Sequence, residues 1–227
     1  MPTPYSNVIP EVLLYNVLKG ILVYIRTDIA EKATLEETIL YSILQDVGLD
    51  KHNYLSEAAA LFSRPEELPR SVGIRLFFDA KRAEEPTIHV TLASDESGPT
   101  NSIGMNQDED VWDNVAGDQF SEIYGRSFNT SLSIICTSSN HHEVLIMYYI
   151  IRNSLIAVFD TFELSGFQNI QITGRDLQIR EDLVPNHIFS RAVMLRGFYE
   201  TKVRNFFNTS KLSSILFENR KPFDSQG

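Results

Sequence analysis

The N-terminal third of the chain carries apolar residues at the three- and four-residue spacings of helices. Pro10 stands where a helix begins well, and a 3.6-residue apolar stripe follows it. A second helix is predicted to begin at Thr34, because its hydroxyl and the Glu37 carboxylate have the spacing of a capping box. That helix is predicted to end at Gly48, and a third covers residues 55–62.

Two segments with a two-residue apolar period come next, at residues 71–79 and 87–94, and they predict strands. A polar connector of seven residues with mixed charge, AKRAEEP, separates them, so a β-hairpin is predicted. Residues 95–118 break the pattern, with seven acids, three glycines and neither lysine nor arginine. Loops of this length inside a domain are functional or disordered, which predicts a mobile surface loop or an interaction loop.

The second half of the chain has the order strand, helix, strand, strand. These elements are predicted at Ser127–Ser138, His141–Leu164, Phe167–Ile179 and Ile188–Phe206. Asn140 is the predicted cap of the helix. The helix is apolar on every side from Val144 to Ile151, so it needs cover on more than one side. The cover is expected from the sheet and the N-terminal helices, or from another subunit.

Together these elements predict an α+β fold with a mixed, mainly antiparallel sheet backed by a long helix and an N-terminal helical section. Residues 1–66 form that helical section, residues 67–206 form the α+β core with the acidic loop 95–118, and residues 207–227 form a C-terminal arm. The polar arm contains one apolar cluster, which is expected either to dock on its own domain or to anchor a neighbour.

Composition and charge narrow the class of protein. Hydrophobic residues make up 43% and charged residues 22%, which is typical of a folded chain. No apolar run approaches the roughly 18 residues of a membrane span, and the N-terminus lacks the basic region and cleavage signal of a secretory leader. The single cysteine, Cys136, lies in an apolar strand, where it is expected to be a core residue in a reducing compartment.

The net charge of −10 is confined to the first half of the chain. Residues 1–117 contain 19 acids and 9 bases, whereas residues 118–227 contain 11 of each. Such a chain is not expected to grip a phosphate backbone, which requires clustered lysine and arginine. Its acids are either solvated surface or a lining that lets DNA pass without tight binding.

No group of residues predicts catalysis, a cofactor or a metal. The run His141–Glu143 looks like a metal site, but adjacent helical residues point about 100° apart and cannot share one ion. Asp176, Glu200 and Lys202 have the D…E-x-K spacing of Mg²⁺ nucleases, without a basic surface for DNA. The acids at 108–113 lack the spacing of an EF-hand loop.

The β–α–β–β segment, which covers about a third of the chain, resembles the tail terminator and neck-ring proteins of long-tailed bacteriophages in its architecture and its pattern of apolar residues. The resemblance implies a structural virion protein, not an enzyme, that is assembled in the host cytoplasm. It implies a homo-oligomeric ring, a hexamer rather than a dodecamer, at the tail-proximal neck. The ring would terminate the tail tube or sheath and join it to the head connector.

If a ring forms, apolar residues of the loop and the arm are the candidate subunit contacts, namely Ile103, Trp112, Leu212, Ile215 and Phe217. The candidate lumen residues are the loop acids Asp108, Glu109, Asp110 and Asp113. Three alternatives stay open at this point. They are a head–tail adaptor or stopper ring, a Mg²⁺-dependent nuclease of the D…E-x-K type, and a cytosolic binding module unrelated to phages.

Overall fold

The structure is a computed structural model that describes residues 9–49, 53–65, 68, 70–97, 123–176 and 188–204. Five α-helices and one five-stranded mixed sheet make up this described part, which confirms the α+β class. The helices are α1 (Pro10–Glu31), α2 (Ile39–Gln45), α3 (Tyr54–Phe62), α4 (His141–Ala157) and α5 (Phe159–Leu164). The strands are β1 (Gly73–Leu76), β2 (Thr87–Ser97), β3 (Ile123–Ser138), β4 (Gln168–Asp176) and β5 (Phe189–Arg204).

The sheet has the strand order β1-β2-β3-β5-β4. Its spine is the antiparallel β3–β5 pair, which runs without a register shift from Ile123 beside Arg204 to Ser138 beside Phe189. β2 pairs antiparallel with β3, and β4 pairs antiparallel with β5. Because only β1 and β2 run parallel, the sheet is mixed and mainly antiparallel, as predicted.

One face of the sheet forms the hydrophobic core together with the helices. The strand residues in this core alternate along β2, β3 and β5, and all are almost fully buried: Ile88, Val90, Leu132, Ile134, Cys136, Val193 and Leu195. The N-terminal helices add Leu14, Leu18, Leu40, Leu44 and Phe62 to the same cluster. Each such side chain contributes about 1.5–3 kcal/mol through burial, so the helical section and the sheet are held together by one core.

Part of this core depends on α4, which lies between the sheet and helices α2 and α3, whereas α1 packs directly on β1 and β2. α4 packs on β3 and β5 on one side and on α2 and α3 on the other. Residues around its circumference, from Val144 to Leu155, are therefore buried. The apolar circumference is explained within the chain, and it gives no support to a contact with another subunit.

The predicted capping box at Thr34 is wrong. Leu35–Glu37 forms a single 3₁₀ turn, and the Thr34 side chain makes no capping hydrogen bond. α2 begins four residues later, where the Thr38 hydroxyl accepts the N–H of Tyr41 at 3.3 Å. Asp28, in the last turns of α1, accepts the first N–H of α2 at 2.7 Å. A side chain from another helix therefore satisfies a donor that the start of α2 leaves open.

The predicted hairpin between the first two strands is also wrong. β1 and β2 are parallel, with Leu76 beside Val90. Phe77 ends β1 because its backbone is left-handed, with φ of 68°. The chain then returns to the starting end of β1 through a connector that contains the 3₁₀ turn Ala80–Arg82. β2 also continues to Ser97, so the first three residues of the predicted acidic loop belong to a strand.

The predicted helix His141–Leu164 is divided into α4 and α5 at Val158. Its predicted cap is confirmed, since the Asn140 side chain accepts the N–H of His142 at 3.0 Å. Gly166, with φ of 94°, follows the end of α5. Among the described helices, none is long and apolar enough to cross a membrane.

Candidate assembly surfaces

The candidate contact and lumen residues of the sequence analysis lie outside the described residues. They are Ile103, Trp112, Leu212, Ile215 and Phe217, and the acids Asp108, Glu109, Asp110 and Asp113. The described surface instead contains a feature that the sequence analysis missed. At each end of the sheet, a strand has one side without a hydrogen-bonded partner among the described residues.

The first of these surfaces is the outer side of β4, the β4 edge. β4 pairs with β5 on its inner side, and no described residue is hydrogen-bonded to its outer side. Its residues are exposed except for Ile170 and Ile172, which are half-buried. Polar residues around two isoleucines are the sequence signal of a strand that is covered on one face only. The β4 edge therefore offers N–H and C=O groups to another strand.

The second surface is the part of β2 that β1 does not cover, residues Thr91–Ser97, which we call the β2 notch. β1 pairs only with the first four residues of β2, as far as Val90. The Phe77 N–H donates to the Val90 carbonyl at 2.9 Å and closes the inner end of the notch. Leu92 in the notch is 42% exposed and Phe77 beside it is 71% exposed. Seven residues at roughly 3.3 Å each make the notch about 23 Å long.

The two surfaces differ in the charged residues around them. The region of the β4 edge contains four arginines and one aspartate: Arg152, Arg175, Arg191, Arg196 and Asp176. The β2 notch contains Asp95 and Glu96 and no basic residue. β4 itself carries one arginine and one aspartate, and the other arginines lie on neighbouring elements, whereas the residues of the notch are acidic.

Two of the arginines stack on one tyrosine beside β4. The guanidinium carbon of Arg191 lies 5.0 Å from the centre of the Tyr148 ring, and that of Arg152 lies 5.8 Å from it. Arg191 also binds Asp176, with Nε 2.5 Å from Oδ1. Partial burial acts to lower the pKa of Arg191, but the hydrogen bond and charge of Asp176 outweigh it and raise that pKa.

Arg152 has no such carboxylate. Its described side-chain hydrogen bonds go to the amide oxygen of Asn153, at 3.3 Å, and its guanidinium carbon also lies 5.0 Å from the Tyr149 ring. No described carboxylate lies within ion-pair distance of it. Arg152 is half-buried against the two rings and retains donors for a carboxylate from outside the molecule.

A glycine allows the Tyr148 ring to lie on β4. A Cβ atom at Gly174 would stand 1.8 Å from the Tyr148 hydroxyl oxygen and 2.8 Å from ring carbon Cζ. Any other residue at Gly174 would therefore displace the ring and the guanidinium groups stacked on it. Because Gly174 has no side chain, the Tyr148 ring of α4 packs directly on β4.

At the notch, Asp95 is held by a tyrosine of the central sheet. The Tyr199 hydroxyl donates to Asp95 Oδ2 at 3.1 Å, and the Tyr199 ring stacks between Phe128 and Phe167. Burial raises the pKa of Tyr199 to about 12, and the hydrogen bond to the Asp95 carboxylate acts in the same direction. Glu96 has no such partner among the described side chains and is exposed.

The polar cluster at the start of α4 is structural. Glu143 accepts the Ser138 hydroxyl at 2.5 Å and an Arg70 N–H at 2.7 Å, which ties the segment before β1 to α4. His142 contacts Tyr54 and lies 3.6 Å from Glu57, beside a cavity of about 320 Å³ that these three residues line with Asn53.

His141 packs on Phe189 and His142 contacts Tyr54, and the two histidine rings meet edge-on with their centroids 6.5 Å apart. Within the described ranges, no group of three His, Cys, Asp or Glu side chains could hold a metal ion.

The nuclease triplet is not assembled. Asp176 lies beside Arg191 in the β4–β5 pair. Glu200 lies nine residues further along β5, which is roughly 30 Å at ~3.3 Å per residue. Two carboxylates that bind one Mg²⁺ must both lie about 2 Å from it, so Asp176 and Glu200 cannot share an ion.

Neither a scan against protein-family models nor a search of curated proteins finds a match to this chain.

Proposed function

We propose that this chain is a structural virion protein of a tailed phage that forms a ring at the tail-proximal neck. The ring terminates the tail tube or sheath and joins it to the head connector. The observation that best supports ring formation is the pair of strand edges that have no partner strand among the described residues and that lie towards opposite ends of one sheet. Contacts between two different surfaces join copies head to tail, and they form a ring when the rotation closes.

The length and exposure of the two surfaces favour assembly over a solitary subunit. Unpaired strand edges template pairing with other chains, and monomeric proteins normally shorten or cover them. The β4 edge is nine residues long and the β2 notch is seven residues long, and both are largely exposed. A subunit that meets its neighbours through these edges would pair both of them.

The phage context of the proposal comes from the resemblance of the β–α–β–β segment. That segment has the element order on which the resemblance rests, with β3, α4–α5, β4 and β5 in sequence. The net charge of −10 suits a ring through which DNA passes without tight binding. In this proposal the acids Asp108, Glu109, Asp110 and Asp113 line the lumen, and a hexamer is favoured over a dodecamer.

Light scattering coupled to size-exclusion chromatography tests the proposal. The chain has a mass of 25.8 kDa, so a hexamer has a mass of about 155 kDa. We expect a ring of this mass, either for the chain alone at high concentration or in the presence of tail tube. A species of 25.8 kDa under both conditions would refute ring formation. Electron microscopy of the rings then counts the copies, and twelve-fold symmetry would favour a head–tail adaptor or stopper ring over a terminator.

A further inference from the structure

We infer that the β4 edge of one copy pairs as an antiparallel strand with the β2 notch of the next copy. The sheet would then continue from subunit to subunit around the assembly. This inference rests on the proposed ring and names the two surfaces that build it. The occupant of the notch is a second copy of this chain.

The length of the notch suits β4. β1 ends at Leu76, so the outer side of Thr91–Ser97 has no paired strand among the described residues, and Phe77 bounds it at its inner end. The nine residues of β4 are long enough to fill it. A strand in the notch would cover Leu92 and Phe77, two exposed apolar side chains that a solitary subunit leaves in water.

The strand directions agree with this pairing. β2 is antiparallel to β3, β3 to β5, and β5 to β4, so β2 and β4 run in opposite directions within one molecule. A neighbour that is rotated about an axis along the strands keeps these directions. Its β2 therefore meets β4 as an antiparallel partner, in the hydrogen-bonding pattern that most of this sheet already uses.

The charges favour this pairing over symmetric ones. β4 with the notch brings Arg175 towards Glu96, which lacks a described partner, because both residues belong to the sheet face away from α4. A β4–β4 contact would instead gather arginines, and a notch–notch contact would gather acids. Like charges placed opposite each other suppress an interface, so the charge pattern selects head-to-tail contacts.

Charge reversal tests the inference on the full chain. One variant carries Thr173→Glu and Arg175→Glu on the β4 side, and the other carries Ser94→Lys and Glu96→Lys in the notch, all on the sheet face away from α4. Each variant alone should lose the ring and have a mass of 25.8 kDa at concentrations where the unchanged chain assembles. A chain with all four substitutions has opposite charges facing each other again, so its ring should return. An equimolar mixture of the two variants should also assemble.

Matched controls carry the same change in charge away from both edges. Ser63→Glu with Arg64→Glu matches the β4-side variant, and Gln45→Lys with Asp46→Lys matches the notch variant; all four residues are exposed. Both controls should assemble like the unchanged chain. Circular dichroism on every variant separates loss of the ring from loss of the fold.

Four outcomes would overturn the inference. If only the β4-side variant loses the ring, the contact is symmetric between β4 strands. If both variants assemble, the ring is built from other surfaces, and the proposed function stands without this pairing. If both lose the ring and the four-fold variant does not recover it, the two edges do not meet. An unchanged chain that is monomeric both alone and in the presence of tail tube refutes the ring itself and this pairing with it.

Discussion

The Gly174→Ala substitution tests the contact between β4 and α4. The added Cβ would stand 1.8 Å from the Tyr148 hydroxyl oxygen and 2.8 Å from Cζ, distances that no real contact shows. The ring cannot simply swing outward, because Tyr148 is only 7% exposed and Arg191 stacks on it. The Tyr148 ring and the Arg191 guanidinium group must therefore move together.

The magnitude follows from two opposing terms. Alanine in place of glycine at an unstrained position stabilises by about 0.4–1 kcal/mol through the unfolded state. Overpacking a close contact costs about 1–3 kcal/mol. The net loss in the free energy of unfolding is then about 1–2 kcal/mol, which lowers Tm by about 2–8 °C in a domain of this size.

Thermal unfolding followed by circular dichroism measures this loss, with Gly73→Ala as the matched control. At Gly73 the nearest atom to a new Cβ is Arg75 Nη2 at 3.9 Å, so this strand glycine should accept alanine with unchanged or higher Tm. In a Tyr148→Phe background the oxygen at 1.8 Å is gone, and the cost of Gly174→Ala should fall. The reasoning is wrong if both alanine variants have the same Tm, or if the cost is unchanged in that background.

Three further predictions follow from described contacts. Thr38→Ala should lower the free energy of unfolding in urea by about 1 kcal/mol and Thr34→Ala should not, because only Thr38 caps α2; equal losses would contradict this. Burial lowers the pKa of His89 below 6.5, so its contribution to stability is present above pH ~6.5 and is lost as pH falls through the lower folded value. His89→Gln should flatten this part of the Tm–pH curve, and an unchanged slope would refute the assignment. The Cys136 thiol, buried and with its pKa raised to about 12, should resist iodoacetamide at pH 8 in the native protein and react in urea, as mass spectrometry would show; rapid native labelling would contradict its burial.

The elements with strong periodicity could be predicted from the sequence. β3 alternates so regularly that Leu132, Ile134 and Cys136 on its core face follow directly from the two-residue period. The start of α1 at Pro10 and the Asn140 cap of α4 depend on residues within one turn of the helix end, and both are confirmed. Sequence patterns therefore predict those features that depend only on neighbouring residues.

The sequence-based predictions that were wrong concern features whose structure depends on residues far apart in the chain. A polar connector such as AKRAEEP is compatible with both a hairpin turn and a return crossover. The direction of β2 is set instead by its pairing with β3, which lies far along the chain. Thr34 and Thr38 are both acceptable caps by their own chemistry. Asp28 of α1 decides between them by binding the first N–H of α2.

The β4 edge and the β2 notch could not be predicted from the sequence for the same reason. β5 inserts between β3 and β4, so β4 becomes an edge only through the strand order of the whole sheet. The notch exists because β1 is four residues long and β2 is eleven. The two-residue period predicts the strands, but it does not predict which side of each strand lacks a partner strand.

The long β3–β5 pair determines when this molecule can fold. Its paired residues are 81 positions apart at Ile123 and Arg204, and 51 apart at Ser138 and Phe189. On the ribosome, α1, α2 and α3 emerge long before β5, and their apolar faces have no complete sheet to pack on. The spine of the sheet closes only after Arg204 has left the exit tunnel. Folding dominated by such distant pairs takes about milliseconds to seconds, so the newly made helical section is the part that most needs chaperone protection.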